Sequence, residues 1–226
     1  MITWSGSDLL RCIKIGVPNA LSHGIEIAAW ALLFRMMADL STAHMTVLTV
    51  GQSVMMLFGF LNEGLKQGVI ALASNILGSG RFDEIKKLFR SGVGFQAGIC
   101  LLLLLPLLVF PGLSLSLIGG ESPGSDLYGH LESGLRLVWF FVLFDGIVWV
   151  LNGIMTSGGD TKALMWINIA CAWGLAILPV WLFMDQIKYY PWMAQLFAAV
   201  YAFGNLIAHA LRFKQGKWKV QIKAET

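Results

Sequence analysis

Two carboxylates carry the chemistry of this chain. Glu26 lies near the middle of GVPNALSHGIEIAAWALLFRMMADL (16–40), which is apolar enough to cross a membrane, and Asp145 lies near the middle of a second such stretch at 135–156. A charged residue at the centre of a transmembrane helix costs about 2.5–3.5 kcal/mol on insertion scales, so such a group needs a partner or a task. Counted at about 1.5 Å per residue from the ends of two antiparallel helices, both carboxyls lie roughly 15–16 Å deep. Two acids at one depth can share a site. Ionised together at short range they repel, so the pair can hold a proton and release it when the site hydrates. With amide and hydroxyl oxygens beside them they can instead cage a hard monovalent cation such as sodium. Either arrangement is a coupling site.

The neighbours fall on matching helix faces. Asn19, His23, Glu26 and Trp30 are spaced 4, 3 and 4, and Phe141, Asp145, Trp149, Asn152 and Thr156 are spaced 4, 4, 3 and 4, each set forming one stripe on a helix. Tyr201, Asn205 and His209 follow at steps of four in a third helix. The three stripes together would enclose a partly polar cavity in an apolar bundle.

The elements that must hold these stripes are transmembrane helices. The 226 residues are 57% hydrophobic and 13% charged, with a mean hydropathy of +0.71, whereas soluble domains average about 45–50% apolar and about 25% charged. We read an all-α polytopic membrane protein, a bundle of six transmembrane helices. Its spans are expected at about 16–37, 43–77, 93–110, 135–156, 163–184 and 191–211. Residues 1–15 form a cytoplasmic lead-in with Ser7 or Asp8 as helix cap, and 214–226 a basic tail; nothing in the lead-in reads as a cleavable signal. Span two is long and interrupted by Asn62, Glu63 and Lys66. Gly64 and Gly68 there, and Gly94 and Gly98 in span three, have the spacing that admits a close helix neighbour. Pro106 predicts a kink in span three. Residues 111–134 read as a Gly/Ser/Pro-rich connection containing Glu121, and SGGDTK (157–162) as a tight turn.

Six spans put both ends on one side, and twelve of the 16 Lys and Arg fall there, among them Lys223. By the positive-inside rule both termini are cytoplasmic. The net charge of +3 without a basic–aromatic motif excludes a nucleic-acid partner. Cys12, Cys100 and Cys171 are dispersed and unpaired in pattern, which excludes a disulfide framework and a zinc site. Plainer readings cover several other residues. Arg35 snorkels to the interface, Glu63 and Lys66 are an i, i+3 pair at a helix bend, and His23 and His209 serve core hydrogen bonding rather than proton relay. Most of the ten Met and nine Trp pack or sit at the interface.

The chain resembles the multidrug and toxic compound extrusion (MATE) transporters, specifically their C-terminal six-helix half, over about residues 8–213. The resemblance rests on Gly16-Val17-Pro18 opening a span that holds Glu26, on ALASNILGSGRFDE (71–84), and on FDGIVWVLNGIMTSGGDTK (144–162) with its acid and Gly-Asp-Thr-Lys turn. It implies one lobe of an antiporter in the bacterial inner (plasma) membrane that expels drugs or organic cations by alternating access, driven by sodium or protons, with no other cofactor. Glu26 and Asp145 fall where sodium-coupled members place their cation-binding acids, with Asn19, His23, Trp30, Phe141, Trp149, Asn152 and Thr156 as supporting residues. The family often has Tyr where Phe141 stands. Its members have twelve spans in two lobes, so this reading expects a fragment, a split-gene product or a half-transporter that pairs with an N-terminal six-span half or a second copy. Three competing readings remain. One is a structural or assembly membrane protein, or a non-functional fragment, whose buried acids only set helix packing. Another is an exporter of lipid-linked precursors from the same superfamily, which would suit a more basic cavity. An intramembrane aspartyl hydrolase would need two catalytic Asp on facing helices, and the pair here is Glu and Asp; no enzyme is expected.

Overall fold

The structure, a computed structural model, describes residues 6–118 and 124–219. The side chains of Ser7, Asp8, Cys12 and Asn19, together with Glu121 and Lys223, lie outside the described residues. Among the described residues every regular element is helical. The order is α1 (Gly6–Ala38), α2 (Thr42–Gly78), α3 (Glu84–Leu103), α4 (Pro111–Ile118), α5 (Asp126–Ser157), α6 (Thr161–Cys171), α7 (Leu178–Leu182), α8 (Met184–Ile187) and α9 (Met193–Gln215).

Among the described residues five stretches are long and apolar enough to cross a membrane: α2, α3 with the turn after it, α5, α6 continued through α7, and α9. The first helix, expected as a span, is not among them, although its 33 residues are ample in length. His23, Glu26 and Arg35 dilute its apolar run. It nevertheless packs along α6 and α2 as the sixth helix of the bundle.

The two proline-bearing spans widen instead of breaking. Around Pro106 the chain makes a π-helical turn over Leu104–Val109, in which Phe110 N–H donates to the Leu105 carbonyl at 2.8 Å. A second wide turn, Ala172–Ile177, lies just ahead of Pro179. A proline has no N–H and its ring crowds the preceding turn; an inserted residue moves the ring off the i−4 carbonyl, and lipid permits this only because the remaining backbone groups stay bonded. The kink expected at Pro106 takes this form.

The connection read over 111–134 is shorter than expected. Pro111–Ile118 is helical, and α5 starts at Asp126, capped by the Ser125 hydroxyl, which accepts from Tyr128 N–H at 3.1 Å. Small and polar residues there gave a loop-like composition, whereas the Ser125 cap lets α5 begin about two and a half turns ahead of its apolar run.

Helix α5 is the axis of the bundle: 56% of its apolar window is buried, against 22% for α3, and it packs against α2, α9 and α3. It approaches its neighbours at glycines. A Cβ on Gly146 would overlap the Gln96 amide, which is wholly buried and donates to the Val142 carbonyl at 2.9 Å. A Cβ on Gly153 would press on Val69 and on the Lys66 carbonyl. The four glycines expected to receive neighbours, Gly64, Gly68, Gly94 and Gly98, have open space over their Cβ positions instead. Spacing alone did not say which face of each helix meets the bundle.

The core forms three clusters along α5. One contains Leu33, Met37, Val138, Val142, Val180 and Ile187, a second contains Val69, Val150, Ile154, Met155, Leu164 and Trp218, and a third contains Val47, Leu107, Leu115, Leu131 and Leu135. Asp145 falls between the first and the second. At the second end the Arg212 guanidinium grips the buried Asp160 carboxylate with two bonds of 2.7 and 2.8 Å, which ties α9 to the Gly158–Gly159 turn.

Candidate functional site

Glu26 on α1 and Asp145 on α5, 119 positions apart in the chain, line the same space. A cavity of about 550 Å³ is bounded by Ser22, His23, Glu26, Trp30, Gln52, Lys66, Asp145, Trp149, Asn152, Asn168, Tyr201 and Asn205, with apolar side chains between them. A second lobe of about 670 Å³ shares Glu26, Asp145, Lys66 and Trp149 and adds Glu63, Met55, Phe60 and Phe141. The two volumes form one continuous hollow between α1, α2, α5 and α9.

Each carboxylate is oriented by a ring on a helix. The Tyr201 hydroxyl donates to Glu26 Oε1 at 2.8 Å, and the Trp149 indole N–H donates to Asp145 Oδ2 at 2.7 Å. Charge-assisted bonds of this length are roughly twice as strong as neutral ones. The buried Asn62 amide also approaches Asp145 from α2. Trp30 stands edge-on to both Phe141 and Tyr201, with ring centroids 6.4 and 5.8 Å apart. The aromatic position one turn before Asp145 is therefore a packing ring, and the phenol comes from α9.

The other expected residues separate by position. Trp30, Trp149, Asn152 and His23 line the hollow, and Phe141 borders its second part. Thr156 lies outside it and donates from Oγ1 to Asn152 Oδ1 at 3.1 Å. His23, read as a core residue, is exposed on the cavity wall, whereas His209 is buried with Nδ1 2.9 Å from the Asn205 carbonyl. Three contacts had no reading in the sequence. The Asn168 amide donates to Ser22 across α6 and α1 at 3.4 Å, Tyr201 bonds Glu26 directly, and Lys66 points inward.

Lys66 was read as the partner of Glu63. That ion pair exists at 3.7 Å, but the Lys66 side chain is only 12% exposed and its ammonium stands 4.9 Å over the Trp149 ring. No metal-ligand cluster of three or more His, Cys, Asp or Glu occurs among the described residues.

The two oriented acids thus line a partly open hollow in a bundle of membrane-length helices. A family model described as MatE matches residues 18–182, the greater part of the chain. The chain belongs to the MatE family. It is 24% identical over 186 residues to the "probable multidrug resistance protein NorM" of Xanthomonas axonopodis pv. citri (strain 306), a match covering 73% of this chain and 41% of that protein. The chain thus spans less than half the length of this MatE relative. Glu26, Asp145 and all of α5 fall inside the matched MatE segment, which takes in α1 from Pro18 onward, while Tyr201, on α9, lies beyond it.

Proposed function

We propose that this chain is the C-terminal lobe of a cation-coupled antiporter that exports drugs or organic cations by alternating access, with Glu26 and Asp145 as the coupling acids. The observation that carries the reading is the shared hollow, lined by both acids, in which Tyr201 and Trp149 each hold one carboxylate by a short hydrogen bond. Such a site binds a proton or a sodium ion and a substrate cation in competition, which is what antiport requires. Family membership and the NorM name support transport as the activity. The distribution of Lys and Arg supports cytoplasmic termini in a bacterial inner membrane, and the share of NorM that is covered supports a second six-span half or a second copy as partner.

The test is ion-driven efflux by the complete assembly in liposomes, comparing wild type with Glu26→Gln and Asp145→Asn. Each variant is expected to abolish coupled transport while preserving the fold. Normal coupled transport by both would remove these acids from the mechanism. The competing structural reading draws on the same hydrogen bonds, since both carboxylates already have a donor. It expects loss of thermal stability with unchanged flux.

A further inference from the structure

The hollow contains a cation of its own. Among the described ionisable residues lining it, His23, Glu26, Glu63, Asp145 and Tyr201 stand with one ammonium, that of Lys66. Its position is set by the backbone, because α2 meets α5 where Gly153 admits the Lys66 carbonyl and Val69. One turn earlier on α5, Trp149 turns its ring face to the ammonium at 4.9 Å and its N–H to Asp145 at 2.7 Å. The indole thus stands between the Asp145 carboxyl and the Lys66 ammonium.

Lys66 is poorly held there by charge. Its contact with Glu63 Oε2 is long, at 3.7 Å, and Glu63 is 44% exposed, while Glu63 Oε1 accepts from Gln67 at 2.6 Å. An ammonium taken out of water with so distant a counter-charge is costly, and its strongest neighbour is the quadrupole of the ring, which attracts any cation on its face. Lysine also has a flexible four-carbon stem, so the head can leave without moving the helix.

We propose that the face of Trp149 is the subsite for the positive centre of a lipophilic monovalent organic cation, and that Lys66 is a tethered cation which the substrate must displace. This rests on the transporter reading above and adds to it a residue that sets affinity. Lys66 fills the aromatic face and offsets part of the acid charge when no substrate is present. Once displaced, it swings toward Glu63 and the surface, and its withdrawal leaves Asp145 facing the incoming charge. The tether would prevent the site from holding its substrate too tightly to release it.

Binding of tritiated tetraphenylphosphonium to the purified full chain in detergent tests this. Lys66→Met and Lys66→Gln are each expected to bind roughly tenfold tighter than wild type, with Lys66→Arg close to wild type, since removing a competitor from a desolvated aromatic face is worth about one factor of ten. The gain should vanish when Trp149→Leu is added. Unchanged or weaker binding by both neutral variants, with a wild-type elution profile on gel filtration, overturns the proposal; weaker binding would mean that Lys66 attracts an anionic group. Glu26→Gln and Asp145→Asn are measured alongside. If they lose binding while the Lys66 variants are unchanged, the transporter reading stands and the tether falls. If they bind as wild type while the Lys66 variants tighten, the tether stands and the acids are not the cation site. No binding by any form overturns both.

Discussion

A carboxylate inside a membrane is only as useful as the groups that hold it. Glu26 accepts the Tyr201 hydroxyl and Trp30 wedges against the same ring, so the phenol has two separable contributions: a bond and a surface. Tyr201→Phe removes the first and keeps the second. A hydrogen bond to a charged group is worth about 1.5–3 kcal/mol, and even the lower figure amounts to about a tenfold rate change if it is lost in the rate-limiting step. We expect ion-driven efflux by Tyr201→Phe to fall about tenfold, and by Tyr201→Ala further, as Trp30 loses its edge contact. Efflux at the wild-type rate in Tyr201→Phe would assign the whole effect to the ring. The acids themselves were legible in the sequence because a charge in an apolar run is conspicuous at any register. Lys66 was not, since a glutamate three residues earlier supplied a sufficient local partner, and only the register of α2 against α5 turns the ammonium inward.

At the scale of elements, hydropathy finds helices without saying which faces meet. A polytopic helical bundle and the distortion near Pro106 could be read from the chain, because apolar length and a missing N–H act locally. The neighbours of each glycine could not, because they depend on how helices rotate when they pack. Gly98 and Gly146 make the contrast testable. Both sit in membrane-length helices, yet a methyl on Gly98 meets open space while one on Gly146 would displace the Gln96 amide from the Val142 carbonyl. Overpacking of this kind costs about 1–3 kcal/mol, and losing a buried hydrogen bond adds to it. Gly146→Ala is expected to lower the unfolding temperature in detergent by several degrees, with Gly98→Ala indistinguishable from wild type. Equal shifts in both variants would mean that α3 and α5 do not meet through Gln96.

At the scale of the whole molecule, the hollow is open along part of its rim. Its second lobe is edged by Gly16, Ala20, Met56 and Phe60, all exposed on the faces of α1 and α2, and Gly64 and Gly68 continue the same helix with nothing packed on them. Lipid does not drive helices together as water does, so a bundle can leave such a face bare until a partner with matching shape arrives. Alternating access needs two bodies that rock about a fixed site. In the proposed reading this lobe supplies the site and the acids, and a second body is needed for it to rock against. Binding and transport should therefore separate. In liposomes diluted to at most one chain per vesicle, an imposed sodium or pH gradient is expected to drive no uptake of tetraphenylphosphonium, while the same preparation binds it in a manner that depends on Glu26 and Asp145. Raising the number of chains per vesicle, or adding a complementary six-span half, should restore flux if that surface is where the second body docks. Gradient-driven uptake by single chains would show that six helices complete the cycle unaided, and the exposed face of α1 and α2 would then belong to lipid.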